Sequence, residues 1–201
     1  MSRSISDRSA RLVLASASPR RHNLLEGLAL AFEVRSAGVD ESVLAGEAPE
    51  DHVLRLARAK AQAVARPGEL VLAADTIVVL EGQILGKPVD PGEAQQMLRQ
   101  LAGRRHEVYS GVALFEPANG AMVSASDRSE VRIADLSEDE IGWYVSTGEP
   151  LDKAGSYAIQ GLGALFVESI AGNYTNVVGL PLPLTRSLFQ RLSYDILDFR
   201  A

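Results

Sequence analysis

The segment LVLAADTIVVL, residues 70 to 80, constrains this chain more than any other. Apart from Asp75 and Thr76 it is continuously apolar, so it has no face to give to water and reads as a strand covered on both sides. Such a strand needs a sheet with layers packed above and below it, which points to an α/β architecture around a mixed sheet. The segment also makes a chemical demand. A carboxylate inside an apolar strand is costly to bury unless it is paired, hydrogen-bonded or open to a cleft. Asp75 is therefore either a structural acid satisfied by backbone N–H groups or a catalytic or cation-binding carboxylate at a cleft; the second reading is favoured here. Thr76 points to the opposite face of a regular strand.

The flanking sequence supplies the layers. Arg11 to Ala15 reads as a short strand, followed by Ser18 and Pro19 in the N-cap and first-turn positions of a helix striped by Leu24, Leu25 and Leu28. Phe32 to Ala37 reads as a return strand, GVDESVLAGEAPE as loop, and Glu50 to Ala65 as a helix closed by Pro67 and Gly68. Glu81-Gly82 turns the central strand into a short hairpin. Asp90 with Glu93, and Ser137 with Glu140, are capping-box signals for two more helices, the second ending at Gly148. Residues 106 to 116 and 121 to 134 read as long strands joined by the turn PANG. A glycine-punctuated stretch, YAIQGLGALFVESIAGNY, precedes a last helix beginning near Pro183. With 201 residues and no linker or repeat, residues 11 to 201 are expected to form one domain, and residues 1 to 10 a flexible leader.

Composition excludes several chemistries. The absence of cysteine removes disulfides, zinc-thiolate sites and thiol nucleophiles. The three histidines, His22, His52 and His106, have no metal-ligand spacing. A net charge of -6 argues against general binding to nucleic acid or anionic membrane, so a basic site must be local. No signal-peptide core or spanning segment is visible, which makes the cytoplasm the expected compartment. Walker and GxGxxG patterns are missing.

Local cations are available. In SASPRR a strand leads directly into a helix N-terminus, whose free N–H groups and dipole favour an anion. Arg20 and Arg21 oppose that dipole unless a negative group sits beside them. They are either solvated surface or the holders of a phosphate. Lys60 shares the apolar helix face of Val53, Leu56, Ala57 and Val64, so it either snorkels past the helix edge or faces phosphate or Asp75. Lys87 and Glu41 are unremarkable alone. Gln160 offers a neutral bidentate group suited to a nucleobase edge. Taken together, these groups make an inventory for phosphoryl or nucleotidyl transfer to water.

The motifs LASASPRR, VDE, LARAKA, AADTIV, GKP and YAIQGLGALFVESIAGNYTNVVGLP resemble the Maf family of nucleoside triphosphate pyrophosphatases from Leu12 to about Leu192. The resemblance implies an elongated Maf/ITPase-like mixed sheet with flanking helices and two lobes around a cleft. It implies a homodimer, a nucleoside triphosphate substrate and a divalent cation, Mg²⁺ or Mn²⁺. By resemblance Asp75 is the proton acceptor of the attacking water or a ligand of the cation, with Glu41 as a second ligand. Arg20, Arg21, Lys60 and Lys87 hold the triphosphate, and Ser16 and Ser18 match further binding positions. Arg20, Thr76 and Gln160 occupy the positions that distinguish branches of the family, and here they resemble the dTTP/UTP branch. The alternatives are hydrolysis of 7-methyl-GTP or another noncanonical nucleotide, and nucleotide-responsive regulation of septum formation.

Overall fold

In the computed structural model, which describes residues 10–201, three long strands carry the architecture. β3 (Glu69–Leu80), β5 (Arg105–Glu116) and β6 (Ala121–Ile133) form a continuous antiparallel ladder. Every β3 residue is buried except Thr76, which is half-buried, as its apolar composition requires. β1 (Arg11–Leu14) runs parallel to the start of β3, and β2 (Glu33–Val34) runs parallel to β1. β7 (Val167–Ala171) closes the far side against the end of β6, giving the order β2-β1-β3-β5-β6-β7. β4 (Gln83–Leu85) folds back on the end of β3. Glu81 and Gly82 between them both have positive φ, which matches the strand twist in a two-residue hairpin.

One detail of this topology places the cleft. β5 occupies one edge of β3, so β1 and β4 share the other. The register with β1 ends at Leu72 and that with β4 begins at Val78. Between them, that edge of β3 has no strand partner among the described residues, and Asp75 and Thr76 lie at the centre of the gap.

Alternation along β3 distributes the core. Leu70, Leu72 and Ala74 pack with Leu12, Leu14, Val112 and Leu114 against Leu25 of α1 (Pro19–Glu26) and Leu188 and Phe189 of α6 (Leu182–Arg191). Farther along the same face, Val78 and Leu80 join Val108, Val131 and Ile133 under α3 (Pro91–Leu101) and α4 (Glu138–Ser146). These two clusters are the lobes. On the opposite face Val71 and Ala73 meet Ala57, Ala61 and Val64 of α2 (Pro49–Val64). The α2 backbone meets the sheet directly at Gly111, paired with Asp75, because that residue has no side chain: a Cβ there would fall 2.4 Å from the Val53 carbonyl oxygen.

The capping signals hold with one amendment. Ser137 and Glu140 form the reciprocal box at α4. At α3 the Asp90 side chain accepts from Glu93 N, but the Glu93 carboxylate accepts from Val89 N rather than completing a box. The expected strand 32–37 shrinks to β2, because β1 ends at Leu14 and offers no longer edge to pair with. The glycine-rich stretch conceals β7 and α5 (Tyr174–Val178), the latter capped by Asn173. The expected flexible leader falls on residues 1–9, outside the described range, and Ala10 packs against the first core cluster. Among the described residues no helix is long and apolar enough to cross a membrane.

The second lobe carries a pH dependence. His106 is 2% exposed and its Nε2 pairs with Tyr157 Oη at 2.8 Å. Burial lowers its pKa from 6.5 to about 4. As pH falls through that window the unfolded chain binds a proton that the native protein refuses, so stability is lost as pH falls and levels off below the folded pKa. The loss is on the order of 3 kcal/mol. Urea unfolding at about pH 7 and about pH 4.5 should show this loss in the parent protein and a smaller one in His106→Leu. An identical loss in both would remove His106 as its source.

Candidate active site

The gap in the edge of β3 opens into a cleft of about 490 Å³. The loop after β1 forms one wall and the segment 152–159 the other, with α2 and β3 behind them. Nine of the ten residues expected from the sequence line it: Ser16, Ser18, Arg20, Arg21, Glu41, Lys60, Asp75, Thr76 and Lys87. Gln160 does not. It is exposed, one residue beyond Ile159, which does line the wall.

At the centre stands a lysine between two acids. α2 presents His52, Leu56 and Lys60 at four-residue spacing along one line toward the cleft. Lys60 does not snorkel. It is 7% exposed, and its Nζ donates to Asp75 Oδ1 at 2.7 Å while lying 2.5 Å from Glu41 Oε1. Asp75 is thus satisfied by a cation and not by backbone N–H groups. Desolvation opposes ionisation of Glu41, yet the hydrogen bond from Lys60 and the charges of Lys60, Lys87 and Arg21 together hold its pKa below the usual value.

Glu41 sits on a loop, and the loop is fastened by a group that the sequence reading missed. The Glu47 carboxylate accepts from Arg55 Nε at 2.5 Å and Nη2 at 2.8 Å, and from Leu44 N at 3.1 Å. His52 Nδ1 lies 2.9 Å from the same carboxylate, and Arg55 Nη2 also donates to Ser42 O. The Arg55 hydrogen bonds, outweighing burial, hold Glu47 well below the usual carboxylate range. The visible signal was an acid just before the first turn of α2 with a buried-face histidine and an arginine following.

The two arginines of SASPRR part company. Arg21 is committed to protein atoms: Nε donates to Gly179 O at 2.8 Å, Nη1 to Ser16 Oγ at 3.0 Å and Nη2 to Thr76 Oγ1 at 3.0 Å. It ties the first loop, β3 and the end of α5 together. Burial pulls its pKa down, with Asp75 opposing and Arg20 reinforcing that effect. Arg20 reaches across the cleft mouth to Asp152 at 3.6 Å, a distance and exposure that make the pair weak and exchangeable. Ser18 is at the N-cap but makes no side-chain capping bond, which leaves its hydroxyl free of the helix. Thr76 faces away from Lys60 and meets Ser110 Oγ at 2.8 Å. Lys153, absent from the sequence reading, adds a cation to the second wall; its Nζ donates to Glu149 O and Asp152 Oδ1, both at 2.6 Å.

The lining therefore holds five cationic side chains, Arg20, Arg21, Lys60, Lys87 and Lys153, against the carboxylates Glu41, Asp75 and Asp152. Val108, Tyr157 and Ile159 are among its apolar residues. A polyanion with an apolar or aromatic head matches this distribution, and a carboxylate beside a lysine at its centre is equipped for proton transfer.

The chain is similar to known proteins over most of its length. A "dTTP/UTP pyrophosphatase" from Anaeromyxobacter dehalogenans strain 2CP-1 is 56% identical over 188 residues, covering 92% of this chain and 96% of that protein. A "dTTP/UTP pyrophosphatase" from Myxococcus xanthus is 53% identical over 182 residues, covering 90% of this chain and 91% of that protein. The solved structure of the Staphylococcus aureus Ham1 protein superposes with a TM-score of 0.47 at 14% identity, covering 94% of this chain and 93% of that one. The sequence profile described as "Maf-like protein" matches residues 11–192, the span that contains every residue of the cleft, and the chain belongs to the Maf family.

Proposed function

We propose that the chain hydrolyses dTTP and UTP between the α and β phosphorus atoms, releasing nucleoside monophosphate and pyrophosphate. The observation that carries this reading is the Asp75–Lys60–Glu41 cluster at the gap of β3, inside a cationic cleft, in a chain 56% identical to a curated protein of that name. Water adds at the α phosphorus, the bond to the bridging oxygen breaks, and the proton of the water passes to a base. Asp75 is that base, or one of the residues that would hold a divalent cation. Arg20, Lys87 and Lys153 neutralise the phosphates, and Arg21 contributes charge while holding Ser16 and Thr76 in place. Arg20, Thr76 and Gln160 select the base.

Asp75 and Glu41 are also the residues that would hold Mg²⁺ or Mn²⁺. Their oxygens converge on one point, the Lys60 ammonium, and are hard donors of the kind these ions select. Among the described residues no cluster of three or more acids or histidines is suited to a metal, so an ion held by Asp75 and Glu41 would need further ligands from outside the chain. When bound, such an ion supplies positive charge to the departing pyrophosphate. A homodimer belongs to the same proposal. Leu165 and Trp143 are both exposed, Leu165 preceding the Phe166 ring on which Trp143 packs edge-on, and they offer a second copy apolar surface. The cytoplasm is the compartment that holds this substrate class.

The test is pyrophosphate release by the purified protein with Mg²⁺ or Mn²⁺ across dTTP, UTP, CTP, GTP and 7-methyl-GTP. Turnover should be greatest on dTTP and UTP and disappear on chelation. Preference for 7-methyl-GTP overturns the substrate assignment, and absence of turnover on every nucleotide overturns the enzymatic one.

A further inference from the structure

The part of the wall formed by residues 157–159 has no helix or strand to shape it. Its position is imposed from behind by two side chains that do not line the cleft. Tyr144, fully buried on α4, accepts a hydrogen bond from Ala158 N at 3.1 Å and donates to Glu149 Oε1 at 2.9 Å. The same carboxylate accepts from Gly163 N at 2.9 Å and from Leu162 N at 3.0 Å. One acid and one phenol thus hold both ends of the segment 158–163. Burial works against ionisation of Glu149, and the bonds from Gly163, Leu162 and Tyr144 overcome it. The fit is close. A Cβ on Gly161 would fall 2.5 Å from Glu149 Oε2, and one on Gly163 would fall 2.5 Å from Tyr144 Oη. The glycines in QGLG admit the clamp.

Resting on the nucleotide reading of the cleft, we propose that Tyr144 and Glu149 are positioning residues for nucleobase selection. They fix Ala158 and Ile159 against the base and set the reach of Gln160 beyond them. Neither touches the substrate. Removal of the phenol oxygen leaves the Ala158 N–H without its partner in a buried place, and the segment must shift to satisfy it. Of the side chains given to the phosphates, Arg20, Arg21 and Lys60 stand on α1 and α2 and share none of these bonds, and Lys153 hydrogen-bonds Glu149 only at its backbone carbonyl.

Tyr144→Phe keeps the ring and its packing on Phe166, whose centroid is 5.3 Å away, and deletes both hydrogen bonds. Its kcat/KM ratio for dTTP over CTP should fall by about tenfold, the scale of one hydrogen bond. The change should appear in KM for dTTP, with kcat held within about threefold. Inhibition by inorganic pyrophosphate, which has no base, should be unchanged. Glu149→Gln should shift the ratio in the same direction and carries the test should Tyr144→Phe fail to fold. A selective parent with an unchanged ratio in the variants overturns this inference alone, as does pyrophosphate inhibition that weakens in parallel with dTTP. No turnover in the parent protein overturns the nucleotide reading and this inference with it.

Discussion

Asp75→Asn leaves the fold standing and lowers turnover of dTTP or UTP by about a thousandfold or more. The replacement has the same shape, and its amide oxygen can still accept from Lys60, which also retains Glu41 at 2.5 Å. Thermal unfolding should therefore move little. What disappears is the charge: an amide does not take the proton of the attacking water and holds a divalent cation far more weakly than a carboxylate, so both roles open to Asp75 predict a large loss. Turnover within tenfold of the parent would exclude Asp75 from the chemistry. The two roles separate through cation titration, because a surviving trace of activity should need more Mg²⁺ only where Asp75 is a ligand.

Lys60→Met carries the largest cost in stability. Asp75 is 7% exposed and loses the cation that compensates it, the situation in which breaking a buried pair costs about 3–5 kcal/mol. The expected value lies at the lower end, since the cleft lets water reach Asp75 and the half-exposed Glu41 can swing outward. Urea unfolding should show the loss at neutral pH, and turnover should fall with it. The double variant Lys60→Met/Asp75→Asn buries no net charge and should recover most of the stability without recovering activity. Additive losses in that cycle would mean that the pair does not couple, against the 2.7 Å contact between them.

Both predictions start from anomalies that are visible in the primary structure. A carboxylate in an apolar strand and a lysine on an apolar helix stripe each require a partner, and the economical answer is that they partner each other. Strand β3, helices α2 to α4 and the two long strands follow equally from local pattern, because periodicity and caps act over a few residues. The remainder depends on separations that no local pattern encodes. Glu41 reaches Lys60 only because Glu47 fastens its loop to Arg55, and Arg21 spends its guanidinium on Gly179, 158 residues away. Lys153 sits in a stretch whose periodicity is weak, and nothing local to α4 shows that the Tyr144 phenol meets Ala158. Gln160 lies off the lining for the same reason: its segment takes its course from Glu149 and not from its own sequence.

Because β3 pairs with β5 from Val71 to Val79, and β5 with β6 from Arg105 to Glu116, the same three strands pass beneath both walls of the cleft. Rotating one lobe against the other as a rigid body would have to shear that ladder, at the cost of hydrogen bonds with no alternative partner. The scaffold therefore behaves as a stiff spine, and adjustment to a guest falls to the parts that hang from it: the exchangeable Arg20–Asp152 contact, the Glu41 loop and the segment 157–160. Speed of opening in such a molecule is a matter of loops and side chains, with no hinge to wait for.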